Sequence, residues 1–184
     1  MRIVAGKFRG KQLSSPTDET IRPTADRVRE SVFNILASRL GPVLDGRRVL
    51  DLFAGTGALG LEALSRGASH VTFVDTGAEA RGLIRDHIEA FSAGGIAKLL
   101  RRDATALGRS GTLGQFDLVF LDPPYHQGLG EKALAEIAAN GWLAPGATLV
   151  WEEAADAEVT IPEGFTLDDT REYGAAAIRF LRFG

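Results

Sequence analysis

The run Val49-Leu50-Asp51-Leu52-Phe53-Ala54-Gly55-Thr56-Gly57-Ala58-Leu59-Gly60-Leu61-Glu62-Ala63-Leu64 constrains the fold more than any other stretch of the chain. An apolar strand enters a turn with glycines at 55, 57 and 60 and leaves it as a helix whose Leu59, Ala63 and Leu64 occupy neighbouring positions. Gly55 and Gly57 permit a sharp turn and let a ligand approach bare backbone, while Gly60 lets the new helix lie close on its strand. A strand, tight turn and helix in this order form the first half of a crossover to a parallel strand.

The rest of the chain continues in that rhythm. Hydrophobic periodicity predicts a strand near 48–54, a helix over 58–66, a strand over 70–75, a helix over 78–92 and a strand over 97–102. A short helix over 104–109, a strand over 116–121, a helix near 129–140 and a strand over 147–152 follow, then two weaker runs near 165–173 and 175–183. Such alternation gives a Rossmann-like α/β architecture, a mostly parallel sheet covered on both faces, with Ile178 to Phe183 as an antiparallel last strand.

Upstream, residues 2–14 alternate basic and apolar positions around Gly6 and Gly10, which suggests a small β-hairpin. A polar loop from Ser15 to Pro23 leads to Thr24, the expected N-cap of a helix reaching Leu40 with Val28, Val32, Ile35, Leu36 and Leu40 on one stripe. At 184 residues and 45% hydrophobic content the chain suits one domain, with 1–23 as a basic hairpin and loop and 24–184 as a helix plus the core.

Ligands of such sheets bind where the chain leaves the carboxyl ends of the strands. The spacing Gly55-x-Gly57-x-x-Gly60 fits a dinucleotide fingerprint, so a nicotinamide or flavin site stays open at this point. Asp51 argues for another ligand: a buried parallel strand is normally apolar throughout, and a carboxylate within it suits a cationic or amino-bearing group better than a pyrophosphate. S-adenosylmethionine carries both a sulfonium and an amino group. Asp75 ends the next strand 18 positions after Gly57, where a carboxylate accepts from ribose hydroxyls. Asp103 closes the run Lys98 to Arg102 and reads either as an acceptor for an adenine amino group or as the cap of a helix starting at Ala104.

The fourth strand end is Asp122-Pro123-Pro124-Tyr125, directly after the apolar run Phe116 to Leu121. Each proline fixes φ and lacks an N–H, so the segment cannot extend the sheet and its carbonyls stay available to a ligand. Asp122 and the Pro123 carbonyl can hold an exocyclic NH2 group while Tyr125 stacks on a nucleobase. The tetrapeptide is also a plain strand-ending turn by local chemistry; the other three strand ends give it a context.

Charge is unevenly spread. Residues 1–48 carry ten Lys or Arg against five acids, and the remaining 136 carry eleven against nineteen. A basic segment beside an acidic body can bring a phosphate backbone to one face. No apolar stretch approaches the roughly 20 residues that span a bilayer, and charges interrupt Met1 to Lys7 too early for a signal peptide, so a cytoplasmic protein is expected. The absence of cysteine excludes disulfides and thiolate metal sites. His70, His87 and His126 lack metal-ligand spacing and read as structural or exposed, so no metal is expected.

These motifs together resemble the RsmD family of bacterial methyltransferases. The likeness runs through Arg2 to Leu13, Arg22-Pro23-Thr24-Ala25-Asp26-Arg27-Val28-Arg29-Glu30, Asp51 to Arg66, Asp122 to Tyr125 and Asn140-Gly141-Trp142-Leu143. It implies a class I S-adenosylmethionine-dependent methyltransferase fold and transfer of a methyl group to the N2 of a guanine in 16S ribosomal RNA, within an assembling 30S subunit, by a protein expected to be a monomer. In that pattern Asp51, Phe53, Ala54, Gly55, Thr56 and Gly57 hold the methionine part of the cofactor, Asp75 the ribose, and Asp103 with Ala104 the adenine. Asp122, Pro123, Pro124 and Tyr125 hold the guanine, and Arg9, Arg22, Pro23, Thr24, Arg27 and Arg29 contact RNA. Gly77 and His87 depart from the pattern, where some relatives carry an acid and an asparagine. A DNA adenine methyltransferase would share the amine grip but lacks here a target-recognition domain of the usual size. A nicotinamide oxidoreductase leaves Asp122 to Tyr125 without a role, and a noncatalytic RNA-binding module accounts for the basic segment alone.

Overall fold

Parallel pairing organises the molecule. The computed structural model describes residues 1–14, 16 and 25–184. Within them β1 (Arg48–Leu52), β2 (His70–Val74), β3 (Ala97–Leu100), β4 (Phe116–Leu121), β5 (Leu143–Ala154), β6 (Phe165–Tyr173) and β7 (Ala176–Phe183) form one sheet in the order β3-β2-β1-β4-β5-β7-β6. The pairs from β3 to β5 are parallel, and β7 runs antiparallel to both of its neighbours, β5 and β6, as the weaker terminal periodicity suggests.

Strand alternation sorts the core onto two faces. Val49, Phe73, Leu118 and Phe120 pack toward α1 (Asp26–Leu40), α2 (Ala58–Ser65) and α3 (Ala78–Ala90), through Val32, Phe33, Leu36, Leu61 and Ile84. Leu50, Leu52, Val119, Leu121 and Trp151 pack toward α4 (Leu129–Ala139), through Leu134 and Ile137. Each fully buried side chain of this size contributes roughly 1.5–3 kcal/mol. Glycine has a packing role at two contacts. A Cβ on Gly60 would lie 2.4 Å from the Phe73 ring, and one on Gly130 would lie 2.2 Å from the indole nitrogen of Trp151.

Residues 1–13 close on themselves through an Arg2–Gln12 bridge, with the Ile3 N–H donating to the Lys11 carbonyl at 3.0 Å and the Leu13 N–H to Met1 at 2.9 Å. The expected hairpin is thus a single bridge with a broad loop. It straps onto α2. The N–H groups of Val4 and Ala5 donate to the two oxygens of Glu62 at 2.8 and 3.1 Å, and those of Lys7 and Phe8 donate to the carbonyl and hydroxyl of Ser65, both at 2.9 Å. Gly6 has φ of +85°, and a Cβ there would sit 1.9 Å from the Ser65 carbonyl oxygen. No larger residue fits.

Four local expectations change. No helix forms over 104–109; a turn occupies 104–106 and a short 3-10 turn covers Gly111–Leu113. The reason lies in Gly108 and Gly111, both with positive φ, and in Gly108's backbone: its N–H donates to Glu136 and its carbonyl accepts from the Trp142 indole, so neither joins a helix. β5 is longer than 147–152, because Leu143 pairs with Phe116 before an excursion through Pro145 and Gly146 that the register shift accommodates. Helix α1 starts at Asp26 with Ala25 before it, while Thr24 and most of the Ser15-to-Pro23 loop lie outside the described residues. On α1 the buried face is Arg29, Val32, Phe33 and Leu36, leaving Val28, Ile35 and Leu40 partly covered.

Candidate active site

Register places the site. Leu100, Val74, Leu52, Leu121 and Trp151 form one continuous row of partners across β3, β2, β1, β4 and β5. Phe53, Asp75, Asp122 and Glu152 each follow a member of that row, so the glycine turn, the second-strand acid and the Asp-Pro-Pro-Tyr segment leave the sheet at one level. Parallel strands lie about 4.8 Å apart, so adjacent members of this rim are within reach of one small ligand.

The first turn is held open by backbone geometry. Phe53 (φ 55°), Gly55 (φ 60°) and Gly57 (φ 78°) occupy the left-handed region. For Phe53 that conformation costs on the order of 1–3 kcal/mol, a kind of strain that collects at ligand sites. Asp51 is 1% exposed and its Oδ2 accepts the Gly60 N–H at 3.0 Å, which ties strand to helix behind the turn. Burial pushes the Asp51 carboxyl well above the usual carboxylate range, the Gly60 N–H opposes this, and Asp122 and Asp75 add to the rise through charge repulsion.

Asp75 braces the same turn from β2. Its Oδ2 accepts from Gly55 at 2.9 Å and its Oδ1 from Gly77 at 2.7 Å. Asp103 accepts the Thr105 N–H and hydroxyl at 2.8 and 2.7 Å, and the hydroxyl, then the N–H, hold its carboxyl below the ordinary value. Phe53, Val74, Asp75, Arg102, Asp103 and Ala104 line one cleft. It offers an aromatic ring and apolar walls to a flat heterocycle, and two carboxylates to hydroxyl and amino groups. That donor set fits a nucleoside cofactor whose amino-acid end lies over the glycine turn.

Beyond β4 the Asp122 N–H reaches the Leu52 carbonyl at 3.5 Å, which keeps this loop against the glycine turn. Pro123 is buried, Pro124 is exposed, and Tyr125 is half-buried with its hydroxyl donating to Glu152 Oε1 at 2.5 Å. The His126 N–H donates to Glu153 at 3.1 Å, and His126 itself has φ of 64°. Two consecutive acids at the end of β5 therefore pin the loop. Their pairing is non-local, and only the position of Glu152 one residue past the rim could have marked it.

The residues expected at an RNA surface separate. Arg9 and Arg27 are exposed, and beside Arg9 the ammonium groups of Lys7 and Lys11 sit 5.0 and 5.2 Å from the centre of the Phe8 ring. Arg22, Pro23 and Thr24 lie outside the described residues. Arg29 is a correction: it is fully buried, with Nη2 at 2.9 Å from Asp26 and Nε at 3.4 Å from Glu62, and it also donates to the Arg2 carbonyl. A guanidinium engaged in the interior holds the strap to α2 and cannot meet a phosphate.

His87 supplies a link that spacing did not reveal. The Ser14 N–H donates to its Nε2 at 2.9 Å, which fixes the neutral tautomer with Nδ1–H directed at the Thr56 carbonyl, also at 2.9 Å. One imidazole thus joins the strap to the glycine turn. Burial lowers its pKa, against smaller raising effects of Thr56 and Asp86. The unfolded chain therefore binds the proton more tightly, and the stabilisation present above about pH 6.5 is lost as pH falls through the lowered native value. His70, also lowered, acts in the same sense. Melting temperature is expected to drop on acidification more steeply for the wild type than for His87→Gln, whose amide can donate and accept but does not titrate. Parallel curves would show that His87 does not titrate on unfolding.

Among the described residues no group of three His, Cys, Asp or Glu side chains has metal-holding geometry, and no helix is long and apolar enough to cross a membrane. A family model described as conserved hypothetical protein 95 matches residues 1–182. The chain is 35% identical over 181 residues to ribosomal RNA small subunit methyltransferase D of Haemophilus influenzae, covering 97% of this chain and 92% of that protein. To the protein of the same name from Escherichia coli it is 36% identical over 180 residues, with 97% and 88% covered. A solved structure of the Escherichia coli protein yhhF superposes with a TM-score of 0.85 at 35% identity, covering 100% of this chain and 97% of that one.

Proposed function

Because the chain belongs to the conserved hypothetical protein 95 family, with ribosomal RNA small subunit methyltransferase D, it is a methyltransferase, and we propose that it methylates the exocyclic N2 of a guanine in small-subunit ribosomal RNA. The observation that carries this reading is the register of β1 and β4: Leu52 pairs with Leu121, so a turn suited to S-adenosylmethionine and a grip suited to an amine leave the sheet side by side.

Asp51 and the turn from Phe53 to Gly57 would hold the amino-acid part of S-adenosylmethionine, Asp75 the ribose, and Asp103 with Ala104 the adenine. Bound there, the cofactor supplies a methyl group made electrophilic by its sulfonium. The remaining task is alignment, because N2 of guanine is a poor nucleophile whose lone pair is delocalised into the ring. Asp122 and the Pro123 carbonyl accept its two hydrogens, draw the nitrogen toward a tetrahedral shape and face the positive charge that develops on it. Orientation of this kind contributes several kcal/mol to lowering a barrier. Asp122 needs little basicity, since the methylated nitrogen is acidic once charged. Tyr125, held through its hydroxyl by Glu152, presents a ring to a base displaced from its stack. Arg9, Arg27 and the segment Arg22-Pro23-Thr24 would meet the RNA backbone.

Purified protein incubated with methyl-labelled S-adenosylmethionine and, separately, unmodified small ribosomal subunits, naked 16S RNA and DNA tests the reading. N2-methylguanosine is the expected product from the subunits after digestion. N6-methyladenine in DNA would retain the amine grip and overturn the substrate.

A further inference from the structure

Glu152 holds the place on β5 that Asp122 holds after β4, each one residue beyond the register pair Leu121–Trp151. Alternation along β5 sends the Glu152 side chain to the face that carries Val150, the face covered by α1 and α2, and Asp122, just past the end of β4, is near enough to Asp51 on that face to repel its charge. There Val32, Leu59, Leu121, Val150, Glu152 and Ile178 line a pocket that is apolar except for this one carboxylate. The Tyr125 hydroxyl donates to Oε1 of Glu152 at 2.5 Å, so the ring proposed to stack on the base and the carboxylate in the pocket are positioned together. Glu152 has no part in the methyl-transfer chemistry set out above.

We propose that Glu152 is the specificity residue that reads the N1–H of the acceptor base, so that guanine is taken and bases without that hydrogen are refused. The inference rests on the guanine-N2 reading and adds to it. On its Watson–Crick edge guanine presents two neighbouring donors, N1–H and the N2 amino group. Asp122 and Glu152, adjacent on the rim, present two acceptors. A carboxylate accepts several hydrogen bonds at once, so the Tyr125 bond is compatible with a second from the base. Adenine offers an amino group beside a bare N1 lone pair, which would face the carboxylate without a proton between them. A site built to accept a hydrogen bond rejects analogues that lack the donor far more strongly than a purely apolar pocket does.

The test uses 2-aminopurine, which keeps the amino group at the same carbon as guanine but has no N1–H. Small-subunit RNA carrying guanine or 2-aminopurine at the nucleotide mapped from the labelled digest is presented to wild-type protein and to Glu152→Gln, and kcat/KM is measured for both bases. Wild type is expected to favour guanine by at least about tenfold. Glu152→Gln, whose amide can donate to the bare nitrogen, should narrow that ratio several-fold and lose activity chiefly on guanine. Cofactor affinity and melting temperature report whether the variant is intact. An unchanged ratio in Glu152→Gln, or a wild type indifferent to the two bases, overturns the role of Glu152. A wild type that yields no N2-methylguanosine overturns the underlying reading instead, and that arm involves no mutation.

Discussion

Asp122→Ala is expected to lower kcat by about 10²–10³-fold, while the dissociation constant for S-adenosylmethionine stays within about twofold of the wild-type value. The separation follows from where the side chain sits. The cleft lined by Phe53, Val74, Asp75, Asp103 and Ala104 lies on the β1, β2 and β3 side of the rim, whereas Asp122 leaves β4. In the proposed reaction its carboxylate meets a full charge on nitrogen only in the transition state, so the loss falls on kcat, a change of roughly 3–4 kcal/mol for one such group. Asp122→Asn keeps an acceptor oxygen without the charge and is expected to fall between the two. Equilibrium binding and single-turnover rates, measured on the same preparations, separate the effects. Near-normal turnover in the alanine variant would remove Asp122 from the mechanism, and a large loss of cofactor affinity would move it to the cofactor site.

Legibility in the sequence tracked the range over which each feature is decided. The strand, turn and helix at 49–64 were readable because glycine geometry and apolar runs act within a few residues, and the acids at 51, 75 and 122 stood out inside or directly after the otherwise uncharged runs Val49 to Phe53, Val71 to Val74 and Leu118 to Leu121. Arg29 was misread because a cation on a helix is normally solvated, and its partner Glu62 is 33 residues away. A local signal existed: 29, 32, 33 and 36 follow the helical spacing of one buried face, and Ala80, Ile84 and His87 repeat it on α3. The missing helix over 104–109 was a failure of composition over detail, since two glycines outweighed a favourable Ala-Leu pattern. Glu152 could not be singled out beside Glu153 until the register of β4 and β5 was known.

Glu62→Ala is expected to destabilise the protein by roughly 3–5 kcal/mol, the scale for breaking a buried ion pair from one side. Both Glu62 and Arg29 are fully buried, and Glu62 accepts from the N–H groups of Val4 and Ala5, from Arg29 and from Arg66, the last at 3.0 Å. Truncation leaves an interior guanidinium beside a cavity and two strap N–H groups without their acceptors. In a chain of this size that corresponds to a melting temperature lower by roughly 10 °C or more. The damage should not stop at stability, because the strap that Glu62 anchors also runs through Ser14 to His87 and so to the Thr56 carbonyl in the glycine turn. Amide exchange is therefore expected to rise first at Val4, Ala5, Lys7 and Phe8 and then in the turn, with weaker cofactor binding at temperatures where the sheet is still intact. Glu62→Gln, which retains the shape and one acceptor oxygen, should lose less. A Glu62→Ala variant with wild-type melting would mean that water or Asp26 satisfies Arg29 in its place, and that the strap's remaining bonds to Ser65, Arg29 and His87 suffice to hold it.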